Sequence, residues 1–208
     1  MDTKNVYIVI PAYNEATVLG QVIDEIKQIG YDNIIVVDDG STDTTYDVVN
    51  NSVIFIHHSL NRGKGAAIKT GFEACKMLNA DIIITFDGDG QHDPVDIKQM
   101  IELVEKGHDV VMGRRNYKEK HIPRYKVLGN KIGNFFTWLI YGLWVSDSQF
   151  GLRAYSKKAI EKIYLTSDRY EFDSEIIREI ARHSLRHCEI TAHVRYTDYA
   201  TKKKINNP

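Results

Sequence analysis

Between residues 6 and 112, short apolar runs alternate with stretches of helical periodicity, and this alternation leaves few folds open. Val6-Tyr7-Ile8-Val9-Ile10 is a β-rich run closed by Pro11. Val18, Leu19, Val22, Ile23, Ile26 and Ile29 then recur on one face of a helix stopped at Gly30. Ile34 to Val37 is apolar at every position, as a strand needs when both of its faces are covered. It ends in Asp38-Asp39-Gly40-Ser41-Thr42, where Ser41 or Thr42 is placed to cap a helix over 43–50. A third strand over 53–56 leads through Asn61-Arg62-Gly63-Lys64-Gly65 into a helix over 66–78. A fourth over 81–86 precedes Asp93 and Pro94, at the cap and first turn of a helix to 105, and a fifth strand covers 109–112. Such a chain is expected to fold as α/β, with a mostly parallel sheet, helices on both faces, and ligands at the carboxyl ends of the strands.

After Gly113 the regularity changes. A basic, aromatic segment runs to about Trp144, followed by a polar turn over 146–151, a helix near 171–183, and a strand on which Ile190, Ala192 and Val194 alternate. A length of 208 residues suits one well-filled core, with a first half to about residue 113 and a second half beyond it. With 43% hydrophobic and 26% charged residues and a formal charge of -1, the chain carries no global bias toward nucleic acid. The start runs almost directly into a strand, so a cleaved leader is not expected. Cys75 and Cys188 lack metal-ligand or redox-pair spacing and are expected to be reduced thiols in the cytoplasm. The longest apolar stretch, 135–145, is about half of the roughly 20 residues that a spanning helix needs.

The chemistry is concentrated in Asp87-Gly88-Asp89-Gly90-Gln91-His92-Asp93. There an apolar strand delivers two carboxylates and an amide oxygen to a glycine-loosened turn. Hard oxygen ligands of this kind suit Mg²⁺ or Mn²⁺ bound together with substrate phosphates; a solvated turn capping the next helix is the plainer alternative. A calcium loop is excluded, because the twelfth-position Glu is missing and Pro94 intervenes. Asp38-Asp39 closes the second strand, and Glu15 follows Pro11-Ala12-Tyr13-Asn14. Carboxylates so placed can accept hydrogen bonds from ribose and base, and Tyr13 can stack or pack on a ring. Asn61-Arg62-Gly63-Lys64-Gly65 lacks Walker spacing, which excludes an ATPase P-loop.

The stretches IVIPAYNE, VVDDGSTD, NRGKGAAIKTGF, ADIIITFDGDGQHDP, VVMGRR and DSQFGLRAYSKKA occur in order. Together they resemble the family 2 glycosyltransferases, in the branch of dolichyl-phosphate mannose synthases and polyprenyl-phosphate glucosyltransferases. The resemblance implies a nucleotide-diphospho-sugar transferase (GT-A, Rossmann-like) fold and an inverting hexose transfer from GDP-mannose or UDP-glucose. By the same resemblance Pro11, Tyr13, Glu15 and Asp38 hold the nucleoside. Asp87, Gly88 and Asp89 flank the diphosphate, and Asp89 and Gln91, with Asp87 beside them, match the metal ligands. Arg115, with Arg114 beside it, would add charge-assisted contacts near the phosphates or the acceptor, and Lys126 would join the nucleotide-sugar-binding set. Asp147 matches the position facing the acceptor, as a general base toward a hydroxyl or a positioning group toward a lipid phosphate. Gln149 and Arg153 fall in the same motif, and Arg153 suits an ion pair equally well.

Lys118, Lys120, His121, Arg124, Lys126 and Lys131 precede the aromatic run 135–144. That composition suits a helix at a lipid headgroup boundary or a core helix covering the sheet, and periodicity does not separate the two. The first favours a polyprenyl-phosphate acceptor and peripheral contact at the cytoplasmic face of a membrane. The segment Arg195 to Ala200 with Lys202, Lys203 and Lys204 resembles a basic acceptor-side loop, without its usual glycine and serine content. Three rivals stand beside this reading: a family 2 enzyme acting on a saccharide or small hydroxyl, a nucleotidyltransferase of related fold, and a non-catalytic nucleotide-sugar-binding module.

Overall fold

The computed structural model describes residues 4–49, 53–116, 138–169, 171–195 and 199. Seven strands form one sheet: β1 (Val6–Ala12), β2 (Ile34–Asp38), β3 (Ile54–His57), β4 (Ile82–Thr85), β5 (Val110–Arg114), β6 (Arg153–Ser156) and β7 (His187–Thr191). Their spatial order is β3-β2-β1-β4-β6-β5-β7. All neighbours run parallel except β6, which is antiparallel to both β4 and β5. The helices are α1 (Leu19–Gln28), α2 (Thr45–Val48), α3 (Lys64–Met77), α4 (Asp96–Glu105), α5 (Lys157–Lys162) and α6 (Phe172–Arg182). Alternate residues of each central strand feed two cores. Val9, Val37 and Ile83 pack with α3, α5 and α6 on one face. Ile8, Ile10, Val36 and Ile84 pack with α1 and α4 on the other. Both faces are therefore covered, as the apolar run at β2 demands. Burial pushes the Cys75 thiol, within the first core, up to about 12.

Three local expectations change. β1 does not stop at Pro11; it continues to Ala12, with Pro11 opposite Val37. Pairing of β1 with β4 ends at Val9↔Thr85, so the missing N–H of Pro11 falls on a side that has no ladder left to lose. The helix expected over 43–50 is only Thr45–Val48, and Ser41 does not cap it. The Ser41 hydroxyl bonds the Asp38 carboxylate and accepts the Asn14 N–H at 2.8 Å, while Asp43 accepts the Thr45 N–H at 3.0 Å. The segment 153–162, with no element expected, forms β6 and α5, capped by the Ser156 hydroxyl accepting from the Ala159 N–H at 3.3 Å.

Candidate functional site

The carboxyl ends of β1, β2 and β4 lie side by side, so each delivers its polar residues to one edge of the sheet. Beyond β1, Asn14 takes a left-handed conformation (φ 53°), and its side-chain oxygen accepts the Thr42 N–H at 2.8 Å. Glu15 is 6% exposed; its N–H donates to the Thr45 hydroxyl at 2.9 Å, and its carboxylate accepts the Tyr199 hydroxyl at 2.8 Å. Burial, and then Glu15, push the Tyr199 phenol well above its ordinary value. Pro11 and Tyr13 are half-buried beside this loop, and the Pro11 carbonyl lies against Gly88.

Asp38 and Asp39 are buried at the end of β2 and each meets a histidine from β3 or the residue after it. Asp38 Oδ2 lies 2.8 Å from His57 Nδ1, and Asp39 Oδ1 lies 2.7 Å from His58 Nδ1. Asp39 also accepts the N–H groups of Arg62 at 3.1 Å and Gly63 at 2.6 Å. It thereby ties the Asn61–Gly65 loop to the sheet edge. The two histidines were not expected from the sequence, although an acidic doublet and a basic doublet at the ends of consecutive strands were a legible signal.

Lys64 is the other residue that sequence reading passed over. It opens α3, and its Nζ lies 2.5 Å from Asp87 Oδ1, while His92 Nε2 lies 3.2 Å from Asp87 Oδ2. Burial works against both charges, but the pair overcomes it: Lys64 is raised by Asp87, with Asp173 and Asp89 helping. Asp87 is held well below the carboxylate range by Lys64 and His92. Glycine at 151 is what lets this carboxylate sit there, since a Cβ at that position would run into Asp87.

Asp89 and Gln91 face each other: the Gln91 N–H donates to Asp89 Oδ1 at 3.0 Å and its side-chain Nε2 to Oδ2 at 2.8 Å. Rotating the Gln91 amide by half a turn puts its oxygen where the nitrogen stands, giving two neighbouring oxygen donors. No cluster of three or more His, Cys, Asp or Glu that could hold a metal occurs among the described residues. The donor set thus fits a Mg²⁺ or Mn²⁺ ion that takes most of its shell from phosphates, and does not fit a metal caged by protein alone. The loop itself is pinned from outside by Arg195, whose N–H donates to the Gln91 carbonyl at 2.8 Å and whose guanidinium meets Asp93 at 3.0 Å.

Across the loop lies the second cluster. Asp147 is 2% exposed; its Oδ2 accepts the Arg115 N–H at 3.2 Å and lies 3.6 Å from Arg115 Nε, while Oδ1 is buried without a hydrogen-bond partner among the described residues. The Arg115 guanidinium lies over the Phe150 ring at 5.5 Å, and that ring meets His92 edge to face at 4.7 Å. Arg115, Phe150, His92 and Asp87 thus form a continuous chain of contacts joining the two clusters. Arg153 takes the structural option: it is 1% exposed and pairs with Asp173 at 2.7 Å, while Gln149 is exposed. Lys126 lies outside the described residues, as do Lys118 to Lys131 and Lys202 to Lys204.

A mostly parallel sheet with its acidic corner at the ends of β1, β2 and β4 is the nucleotide-diphospho-sugar transferase (GT-A) fold. Glucosyl-3-phosphoglycerate synthase of Mycobacterium tuberculosis, solved with Mn²⁺, uridine diphosphate and its product, has the same fold. It superposes with a TM-score of 0.67 at 18% identity, over 96% of this chain and 75% of that one. Residues 7–164 match Glycosyl transferase family 2, and the chain belongs to that family. It is 40% identical to a protein of unassigned activity from Methanocaldococcus jannaschii, over 99% of this chain and 88% of the relative. It is 38% identical to the UDP-N-acetylglucosamine–dolichyl-phosphate N-acetylglucosaminyltransferase of Methanococcus voltae, over 99% of this chain and 92% of the relative.

Proposed function

We propose that this chain is an inverting, divalent-metal-assisted transferase that moves a sugar from a nucleoside diphosphate to a polyprenyl phosphate at the cytoplasmic face of a membrane. The observation that carries the proposal is the contact between the Asp87–Gln91 corner and the Arg115–Asp147 pair through His92 and Phe150. A donor diphosphate in the first cluster then presents its sugar to an acceptor beside the second. In this reading residues 1–113 form the donor half of one domain and 114–208 the acceptor half. Glu15 and Asp38, with Pro11 and Tyr13, hold the nucleoside. Asp89 and Gln91, next to Asp87, hold Mg²⁺ or Mn²⁺, which when bound neutralises charge gathering on the departing diphosphate. Arg115 adds a fixed cation on the acceptor side. The acceptor oxygen bonds to the anomeric carbon from the face opposite the diphosphate, the carbon–oxygen bond to the diphosphate breaks, and the nucleoside diphosphate leaves as the anion.

The name of the Methanococcus voltae relative adds UDP-N-acetylglucosamine to GDP-mannose and UDP-glucose as donors and favours uridine. Calorimetric titration of UDP and of GDP, each with and without Mn²⁺, tests this directly. UDP should bind, and Mn²⁺ should tighten it at least ~10-fold, about 1.4 kcal/mol. If neither nucleotide binds under either condition, the donor corner is misassigned and a binding module of other specificity becomes the better reading.

The free Oδ1 of Asp147 supports a second acceptor, a saccharide hydroxyl, for which it would serve as general base. A lipid phosphate is already anionic near neutral pH and needs no such base, leaving Asp147 to hold Arg115 in place. Asp147→Asn separates the two. With a phosphate acceptor its kcat should fall by less than the roughly 10²–10⁴-fold that loss of a general base costs, and a fall within that range would favour the hydroxyl.

A further inference from the structure

Two glycines, Gly88 and Gly90, flank Asp89, and Gly90 stands in the left-handed region (φ 73°). A backbone so free loses much entropy on being fixed, so the pairing of Asp89 with Gln91 needs support from outside the turn. Behind it the support is the sheet, where Phe86 donates its N–H to the Val9 carbonyl at 3.0 Å. Ahead of it the support comes from the stretch just beyond β7. Residues 193–195 run antiparallel to 91–93: Val194 bridges His92, the Asp93 N–H donates to the His193 carbonyl at 3.3 Å, and the Arg195 N–H donates to the Gln91 carbonyl at 2.8 Å. His193 donates its own N–H to Asp96, in the first turn of α4, at 2.8 Å. The Arg195 side chain closes the arrangement. Its Nη1 lies 2.5 Å from Glu25 on α1, while Nη2 and Nε lie 3.0 and 3.2 Å from Asp93 Oδ2. One guanidinium thus joins α1, the loop over 87–93 and the extension of β7. The described ion pairs engage Asp87, Asp93 and Glu25, and leave out Asp89.

We propose that Arg195 is a positioning residue for the donor metal. Its planar fork spans Glu25 and Asp93, fixes the backbone that holds the Gln91 carbonyl, and so keeps Asp89 and Gln91 turned toward one point. It acts through the loop, not on the substrate. Charge and geometry give opposite signs for its removal. As a charge alone, a cation beside this corner repels Mn²⁺, and deleting it would tighten the metal. As a brace, deleting it frees the loop and leaves Glu25 and Asp93 as neighbouring carboxylates that repel each other, so the metal weakens. Lysine does not replace it, because an ammonium is a point charge without the fork that meets two carboxylates at once. The inference rests on the metal reading proposed above.

Calorimetry on the full chain reads the effect without a transfer assay: UDP is titrated alone, and Mn²⁺ is then titrated into the UDP complex. Arg195→Met should leave the affinity for UDP alone unchanged and weaken Mn²⁺ by about 10–100-fold, the usual cost of removing a group that holds metal ligands in place. Arg195→Lys should recover only part of that loss. A melting curve for each protein separates bracing of the loop from bracing of the fold. A lower melting temperature with unchanged Mn²⁺ affinity means that Arg195 serves the fold alone, and overturns the inference. Tighter Mn²⁺ in Arg195→Met, or full recovery in Arg195→Lys, makes charge its whole role and overturns it too. Should Arg195→Met fail to fold, Glu25→Gln takes its place, since it neutralises one prong and leaves the pair with Asp93. It should weaken Mn²⁺ in the same direction, and an unchanged affinity would again overturn the inference. A wild type whose UDP complex ignores Mn²⁺ removes the metal reading and this inference together. A wild type that binds Mn²⁺, beside an Arg195→Met variant that binds it equally well, removes the inference alone.

Discussion

Asp89→Ala should lower the rate of sugar transfer by about 10³-fold or more and abolish the tightening of UDP by Mn²⁺, with little change in thermal stability. The size follows from what remains. Asp87 is already tied to Lys64 and His92, so after the substitution the loop offers the Gln91 amide and a carboxylate whose charge is spent on a neighbouring ammonium. Neither replaces a free carboxylate beside a diphosphate. Loss of a Lewis acid worth several kcal/mol corresponds, at 1.36 kcal/mol per decade, to about three powers of ten. Stability should hold because Asp89 is only half-buried and its described hydrogen bonds run to Gln91 within the same turn. Steady-state transfer assays over a range of Mn²⁺, with a melting curve for each protein, decide the matter. A variant that transfers normally and keeps the wild-type dependence on Mn²⁺ would remove Asp89 from the metal site.

Arg153→Met should be the most destabilising single change, by about 3–5 kcal/mol, because it strands Asp173 without its partner in the interior. At roughly 2–4 °C per kcal/mol for a chain of this size, the melting temperature should fall by about 6–20 °C. The pH dependence carries the sign. Burial already raises the Asp173 carboxyl in the native protein, against the pull of Arg153, and losing the guanidinium raises it further. A raised native value stabilises below the unfolded value and is lost as the pH climbs through the native one. The deficit of the variant should therefore narrow on acidification toward the ordinary carboxyl value of 3.8 and be widest at neutral pH. Arg153→Met/Asp173→Leu should recover part of the loss by removing the stranded charge. Denaturant melts of the three proteins at acidic and neutral pH measure all of this.

The first half of the fold was legible because β1, β2 and β4 are covered on both faces and so announce themselves as apolar runs, with the half-exposed edge strand β3 following the same alternation. Placing the acidic turns at strand ends followed directly, since connections in such a sheet begin there. The second half was less legible for identifiable reasons. β6 begins with a buried arginine whose neutralising partner lies twenty residues on in α6, and no local pattern reveals that pairing. Its antiparallel course breaks the alternation that identified the earlier strands. Lys64 illustrates the same limit at the site: its loop was read for phosphate-binding spacing, whereas its ammonium is directed by the start of α3 onto a carboxylate at the end of β4. The Ser156 cap, by contrast, was available in the run Ser-Lys-Lys-Ala and would have marked α5.

The position of β6 between β4 and β5 has a consequence for how such a chain diversifies. β5 leaves the sheet at Arg114 and β6 re-enters at Arg153, with Met112 directly opposite Arg153. The connection between those two points starts and finishes at the mouth of the site, and the strand register beneath it is set by the pairing of β6 with β4 and β5. The connection is therefore placed so that its length and chemistry can change beside the acceptor cluster, while the acidic corner at the ends of β1, β2 and β4 is built from residues outside it.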